Sequence, residues 1–460
     1  MIATLLMIAG ILYLALQLED KFRIPSPLGL IALSFAAHYA FQQAPILTGD
    51  TERFAVLVVF LLPILLISDS LEIKLADLKE HGLSLLYLAV VAVVLSIGMA
   101  LLVSDWLFAD YNLSVAAIIL LFAMVLATDP VSVVSVFAKF ELPHRLKILA
   151  EGESLFNDAT ALVVFVFVGL FALEGGEITL PYLVEISLTV ILGSVAIGVM
   201  VGLVGLVVMK TTENRIAELM VVILTGYGAF ELAEHFYVLL NVLGGHSHLH
   251  LSGILACIFA TITVHHWMTQ AIARENEQIN QDEAALQSST RGRHFSAAML
   301  DTLLGRIKAT LTERDRHLRT QEDVQLLALV SNTILFVAMA EMIDLTLLWT
   351  YRTEILAMFL GTTLIRAVMM GIFAWITHRT DRMTSVGFRW WGVLTFAGIK
   401  GGLSIVMLTM IPDSFEHLEM FKAVVIGVVM LSTFVYTGVL LGLIGMNTER
   451  FRAEKAQESH

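Results

Sequence analysis

Residues 119–134 read ILLFAMVLATDPVSVV, and the three in the middle, Thr128-Asp129-Pro130, decide how this chain folds. The flanks are apolar enough to sit in lipid. The centre is not. Pro130 lacks a backbone donor and pushes Asp129 out of the helical region, so an apolar helix has to unwind halfway along. Irregular backbone at bilayer depth survives only where protein or a polar cavity satisfies it. An acid at that depth is a functional-site hypothesis by default. The next apolar segment carries a second such feature. Glu153-Ser154-Leu155-Phe156-Asn157-Asp158 heads the run Ala-Thr-Ala-Leu-Val-Val-Phe-Val-Phe-Val. Two acidic interruptions in successive segments point to a chain that handles a cation or a proton inside the membrane.

Composition agrees. Hydrophobic residues make up 57% of the chain and charged residues 15%, which excludes a disordered protein and points to an all-α polytopic membrane protein. A pI near 5.5 argues against a nucleic-acid partner. Cys257 is the only cysteine, so neither an intramolecular disulfide nor a multi-cysteine metal site is expected. Met1 to Leu16 is apolar at once, with no basic n-region, and reads as a first span rather than a removable signal peptide.

Runs of about 20 apolar residues fall near 1–18, 26–43, 54–68, 82–106, 113–137, 148–173, 181–209, 216–240, 250–269, 323–347, 354–377, 389–411 and 419–446. Basic residues orient them. Lys21, Arg23, Lys74, Lys79, Lys139, Arg145, Lys147, Lys210, Arg215, Arg379, Arg382, Arg389, Arg450, Arg452 and Lys455 fall in alternate connections and the tail. The connections between hold only Arg53, Arg352 and Lys422. About thirteen spans with the N-terminus outside and the C-terminus in the cytoplasm are therefore expected, as an integral protein of a bacterial cell (inner) membrane. The one long polar stretch, Gln270 to Asp323, falls on the cytoplasmic side. Leu300, Leu303, Leu304, Ile307 and Leu311 recur there at helical spacing, so part of it is predicted to be an amphipathic helix.

A second break is predicted in the twelfth span, at Ala397-Gly398-Ile399-Lys400-Gly401-Gly402-Leu403-Ser404. Interrupted segments in corresponding positions of two halves mark a transporter's midplane site. Spans five and twelve differ by seven, and an odd offset means that the second copy enters from the opposite side. Spans 1–6 and 8–13 are thus predicted to form an inverted repeat whose two broken helices cross.

Ser154 and Asp158 share one helical face, and Glu153 and Asn157 another. A hydroxyl and a carboxylate are hard oxygen ligands suited to Na⁺, Li⁺ or H⁺, and the freed Thr128 carbonyl is a third candidate. Soft donors for a transition metal are lacking. Arg366, mid-span, and Lys400, in the second break, need counter-charges. Glu153 and Asp129 are the acids available, and Glu153 with Arg366 reads as a structural ion pair.

Together Thr128-Asp129-Pro130, Glu153-Ser154 with Asn157-Asp158, Arg366 and Gly-Ile-Lys-Gly-Gly-Leu-Ser resemble the sodium/proton exchanger (NhaP/NHE-type) branch of the cation–proton antiporters. Phe60-Leu-Leu-Pro63, Leu232-Ala-Glu234-His235 and Ser252-Gly-Ile-Leu-Ala extend the likeness over essentially the whole membrane part. The resemblance implies exchange of a monovalent cation for H⁺ with Asp158 and Ser154 holding the ion. Asn157 and Asp129 would stabilise the crossed breaks, along with Pro130, Lys400, Gly401 and Gly402, and Glu153 would pair with Arg366. It implies a homodimer in lipid whose transport core (81–180 and 351–447) moves against a scaffold (1–80 and 181–350, including the cytoplasmic loop 270–321), with a short tail at 448–460. No cofactor is expected beyond the transported ions. Asn157, where electrogenic relatives carry a second Asp, implies electroneutral exchange.

Two features depart from the pattern: Lys400 stands where an arginine is usual, losing the planar fork, and the 270–321 and 241–250 segments are long. His246, His248 and His250 in the latter are candidates for pH sensing or metal binding, set against a plain solvated loop. A K⁺/H⁺ antiporter of the same fold is the nearest alternative. A channel would need a ring-forming filter motif, and an aspartyl protease two equivalent carboxylates; neither is evident.

Overall fold

The computed structural model describes residues 2–22, 24–40, 51–242, 251–291, 297–380 and 382–458, and among them every regular element is helical. Among the described residues, each of the thirteen apolar windows lies mostly on helix, and one further helix follows the last. In chain order these are α1 (Ile2–Phe22), α2 (Ser26–Ala40), α3 (Thr51–Ser70), α4 (75–107), α5a (Val115–Leu126) with α5b (Pro130–Phe137), α6 (His144–Leu173) and α7 (Leu180–Met209). They continue as α8 (Arg215–Glu234), α9 (Gly253–Arg291), α10 (Ala297–Glu341), α11 (Arg352–Thr377), α12a (Phe388–Phe396) with α12b (Gly402–Thr409), α13 (Leu418–Met446) and α14 (Thr448–Glu458). Among the described residues, eight helices are long and apolar enough by themselves to cross a membrane.

The chain divides into two compact units. The first comprises residues 1–62, 76–190 and 330–460, the second residues 63–75 and 191–329. In the first, α5a is the innermost element, buried at every position from Ala116 to Leu126, as expected of a helix apolar all round. α12b is buried without interruption from Leu403 to Leu408. Both predicted breaks are present. Residues 127–129 and 397–401 are not helical, and each break divides its span into two short helices. Three π-helical turns, at Tyr87–Val91, Phe165–Leu170 and Ser432–Tyr436, loosen α4, α6 and α13.

In the second unit, the polar stretch 270–321 is far more regular than a loop. α9 runs out through it to Arg291 and α10 returns from Ala297. The reason is a seam repeating every three and four residues. On α10, Leu303, Ile307, Thr310, His317, Thr320 and Val324 are buried, as are Ile279 and Asp282 on α9, and Arg306 reaches Asp282 at 3.3 Å. Leu304 and Leu311 lie off the seam, exposed, so the leucine spacing marked the helix but only part of its buried face. Polar groups complete the seam. Glu218 is fully buried and accepts from Arg316 Nε at 2.7 Å, with His317 Nδ1 also 2.7 Å from it. The other imidazole nitrogen faces Glu275 at 3.7 Å. Burial pushes the Glu275 carboxyl above the ordinary glutamate value, which His317 partly offsets. His246, His248, His250 and Arg23 lie outside the described residues, as does the side chain of Leu300.

Candidate ion-binding site

All the residues singled out around the breaks lie in the first unit. The site begins with what the breaks leave unpaired. Asp129 adopts an extended backbone (φ −105°, ψ 106°) and its side chain caps α5b, accepting from Val131 N at 3.2 Å and from the Ser132 hydroxyl. That is the ordinary use of an aspartate ahead of a proline-initiated helix. Its backbone N–H crosses to the other break and donates to Ile399 O at 2.7 Å. The second break is anchored in turn by Lys400 N donating to Ser432 Oγ at 3.0 Å, at the first residue of the π turn in α13. Gly401 permits the close crossing: a Cβ there would stand 2.6 Å from Asp129 Cβ. The two breaks meet through backbone, and a side chain at position 401 would hold them apart.

α6 passes beside the first break. Asp158 Oδ1 accepts Thr128 N at 2.8 Å. Ser154 Oγ donates to Thr128 Oγ1 at 2.7 Å. Asn157 Nδ2 donates to Leu126 O at 2.8 Å and to Thr128 Oγ1 at 3.3 Å. Thr128 is thus where three α6 side chains converge. Its amide and hydroxyl, and not only the carbonyl that the sequence suggested, organise the site. Asn157 repairs the orphaned Leu126 carbonyl at the end of α5a, and its own Oδ1 is buried with no hydrogen-bond partner among the described residues.

The counter-charge of Arg366 is Glu153, as the family resemblance implied. Arg366 takes Glu153 as a fork, at 2.9 and 2.7 Å, and both are buried. Arg366 also donates to the carbonyls of Thr395 (2.9 Å) and Leu394 (3.0 Å), satisfying the C-terminal end of α12a, where a cation suits the helix dipole. Gly398 makes room for it, since a Cβ there would fall 2.3 Å from Arg366 Nε. Asp129 does not serve as a counter-charge; its carboxylate is occupied by the α5b cap. Lys400 is buried and has no ion pair within 4.0 Å among the described residues.

Asp158 is what remains. It is 8% exposed, one oxygen is held by a backbone amide, and no Lys or Arg nitrogen lies within 4.0 Å of it among the described residues. A carboxylate so placed has coordination capacity to offer, next to the hydroxyls of Ser154 and Thr128. A small hard cation or a proton suits a carboxylate so placed. Residues that sequence reasoning missed are Ser132, Ser432 and the carbonyls of Leu394 and Thr395. Serines and main chain carry no local signal of such distant partners.

The family described as "Sodium/hydrogen exchanger, transmembrane" matches residues 4–281. The Na⁺/H⁺ antiporter NhaH of Halobacillus aidingensis is 31% identical over 228 residues, 47% of this chain and 54% of that protein. The Na⁺/H⁺ antiporter NhaP of Pseudomonas aeruginosa is 27% identical over 236 residues, 47% of this chain and 54% of that protein. The chain spans about half the length of the curated relatives it matches. Its fold is similar to that of the sodium proton antiporter MjNhaP1 from Methanocaldococcus jannaschii, with a TM-score of 0.69 and 16% identity, covering 98% of this chain and 99% of that one. On the match to more than half of its length, the chain belongs to the transmembrane sodium/hydrogen exchanger family.

Proposed function

We propose that this protein is a secondary active transporter that exchanges Na⁺ for H⁺ across the cell membrane. The observation that carries this reading is Asp158, a buried carboxylate beside the unwound backbone of α5 with one oxygen uncommitted and no cation paired to it. A proton and Na⁺ compete for it. Ser154 and the Thr128 carbonyl complete an all-oxygen cation site, Asn157 and Asp129 keep the unwound segments in shape, and Pro130, Gly401 and Gly402 permit them. The relatives' description as Na⁺/H⁺ antiporters supports Na⁺ as the cation.

The remaining features of the reading rest on the apolar runs, the basic residues between them and the family resemblance. The chain crosses the bilayer thirteen times as a homodimer, N-terminus outside and C-terminus cytoplasmic, with spans 1–6 and 8–13 as an inverted repeat. Residues 81–180 and 351–447 form the core that moves and 1–80 with 181–350 the scaffold, giving alternating access. Exchange is electroneutral, because position 157 is Asn and only Asp158 is offered to the ion. A membrane potential does about 2.3 kcal/mol of work per net charge per 100 mV, and one-for-one exchange moves no net charge. The test is Na⁺ flux in proteoliposomes under an imposed proton gradient, with and without a valinomycin potential. Saturating flux that follows the proton gradient and ignores the potential is expected. Non-saturating flux would indicate a pore, and flux that follows the potential would rule out one-for-one stoichiometry.

A further inference from the structure

The segment after the last apolar span reads as a short tail, yet it is helical and engaged. In α14, Phe451, Glu454 and Glu458 follow one another at spacings of three and four and so share a face. Phe451 is 1% exposed, which seats that face. The two carboxylates reach two different helices. Glu458 Oε2 accepts the backbone N–H of His144, the first residue of α6, at 2.7 Å. Glu454 pairs with Arg389 and accepts Trp390 Nε1 at 2.9 Å, both in the first turn of α12a.

These helices have something in common. α6 starts after Pro143 and α12a after Gly387, and neither start has a side-chain cap from its own cap residue. A helix start leaves unpaired N–H groups and a partial positive charge. The two uncapped starts belong to the helix that carries Glu153, Ser154, Asn157 and Asp158, and to the one that leads into the second break. α14 supplies an acid to each.

We propose that α14 is a strap: Glu454 and Glu458 are positioning residues that bind the first turns of α6 and α12a together, so that the two helices flanking the ion site travel as one body. The inference rests on the alternating-access reading above only for its effect on transport. The ion site is assembled elsewhere, by the break-to-break bond from Asp129 N to Ile399 O and the α6 contacts to Thr128. Loosening the strap should therefore slow turnover and leave ion affinity alone.

The Glu454→Ala, Glu458→Ala double variant separates the two. In proteoliposomes its turnover should fall about tenfold, with the apparent KM for Na⁺ within about twofold of wild type. Hydrogen–deuterium exchange of purified protein should accelerate by about tenfold at the amides of 144–147 and 388–391 and stay unchanged in α5a. Pairing Arg389→Glu with Glu454→Arg should restore turnover that Arg389→Glu alone removes. Unchanged amide exchange in the double variant overturns the strap, as does a rise in KM that parallels the loss of turnover. The exchange measurement does not depend on transport: if the wild-type protein moves no Na⁺ but the variant's helix starts loosen, the strap stands and the functional reading falls. Should the double variant fail to fold, Glu458→Ala alone leaves the Glu454 contacts in place. It is expected to loosen 144–147 but not 388–391, and equal loosening at both, or none, contradicts the proposal.

Discussion

Glu153 and Asp158 lie five residues apart on one helix, both buried, and their surroundings are opposite. Glu153 is closed: both its oxygens accept from one guanidinium, and that guanidinium's remaining donors go to the end of α12a. Asp158 is open: one oxygen is held by Thr128 N, and no Lys or Arg nitrogen lies within 4.0 Å of the carboxylate among the described residues. A buried carboxylate with its charge neutralised holds helices in place. A buried carboxylate without a partner is expensive unless something mobile visits it. In the proposed function the difference separates architecture from transport on a single helix, and substitutions can break it.

The largest effect should come from Asp158→Asn, which keeps the side-chain shape and the hydrogen bond from Thr128 N but removes the exchangeable charge. Na⁺-dependent proton flux in proteoliposomes should vanish, while size-exclusion behaviour and thermal melting stay as in wild type; flux at the wild-type rate would move the site elsewhere. Glu153→Ala should do the reverse. It leaves Arg366 buried and uncompensated, which costs about 3–5 kcal/mol, so a marked fall in Tm in detergent is expected. If Glu153→Ala melted like wild type and Asp158→Asn melted early, the two roles would have to be exchanged.

Gly401→Ala sharpens the contrast at the crossing. A methyl group 2.6 Å from Asp129 Cβ forces the breaks apart, and overpacking of this kind costs about 1–3 kcal/mol. Both Tm and turnover should drop, and full activity at unchanged Tm would show that the breaks need not touch. Asp129→Ala should be the mildest. Losing the α5b cap costs about 1 kcal/mol, so turnover should fall without disappearing; complete loss of binding with an intact fold would make Asp129 a second ion carboxylate.

Much of this contrast was legible in the residues. Pro130 and the glycines at 398, 401 and 402 announce broken helices through backbone chemistry alone, and an acid in an apolar run announces a site. The choice of partners was legible for Arg366, which the family resemblance gave to Glu153 and which is found there. It was not for Lys400, because pairing depends on which helices touch. Capping at α5b is a local signal, aspartate before proline, that was read as a break rather than as a use for the carboxylate. The same limit applies to Thr128, whose hydroxyl gathers Ser154 and Asn157. It applies also to 270–321, where polar residues hid a seam that includes His317, Glu275 and Asp282. α14 looked like a tail because its contacts are all to distant helices.

If one carboxylate serves H⁺ and Na⁺ in turn, Na⁺ binding must expel a proton, and that proton can be counted. Purified wild-type protein in weakly buffered, Na⁺-free detergent solution with a pH indicator should release one proton for each Na⁺ bound. The apparent Na⁺ affinity should weaken by about tenfold per unit of falling pH once the carboxyl is mostly protonated, because the protonated form cannot accept the ion. In Asp158→Asn the release should disappear. Undiminished proton release from Asp158→Asn, or Na⁺ binding to the wild type with no release at any pH, would contradict the account.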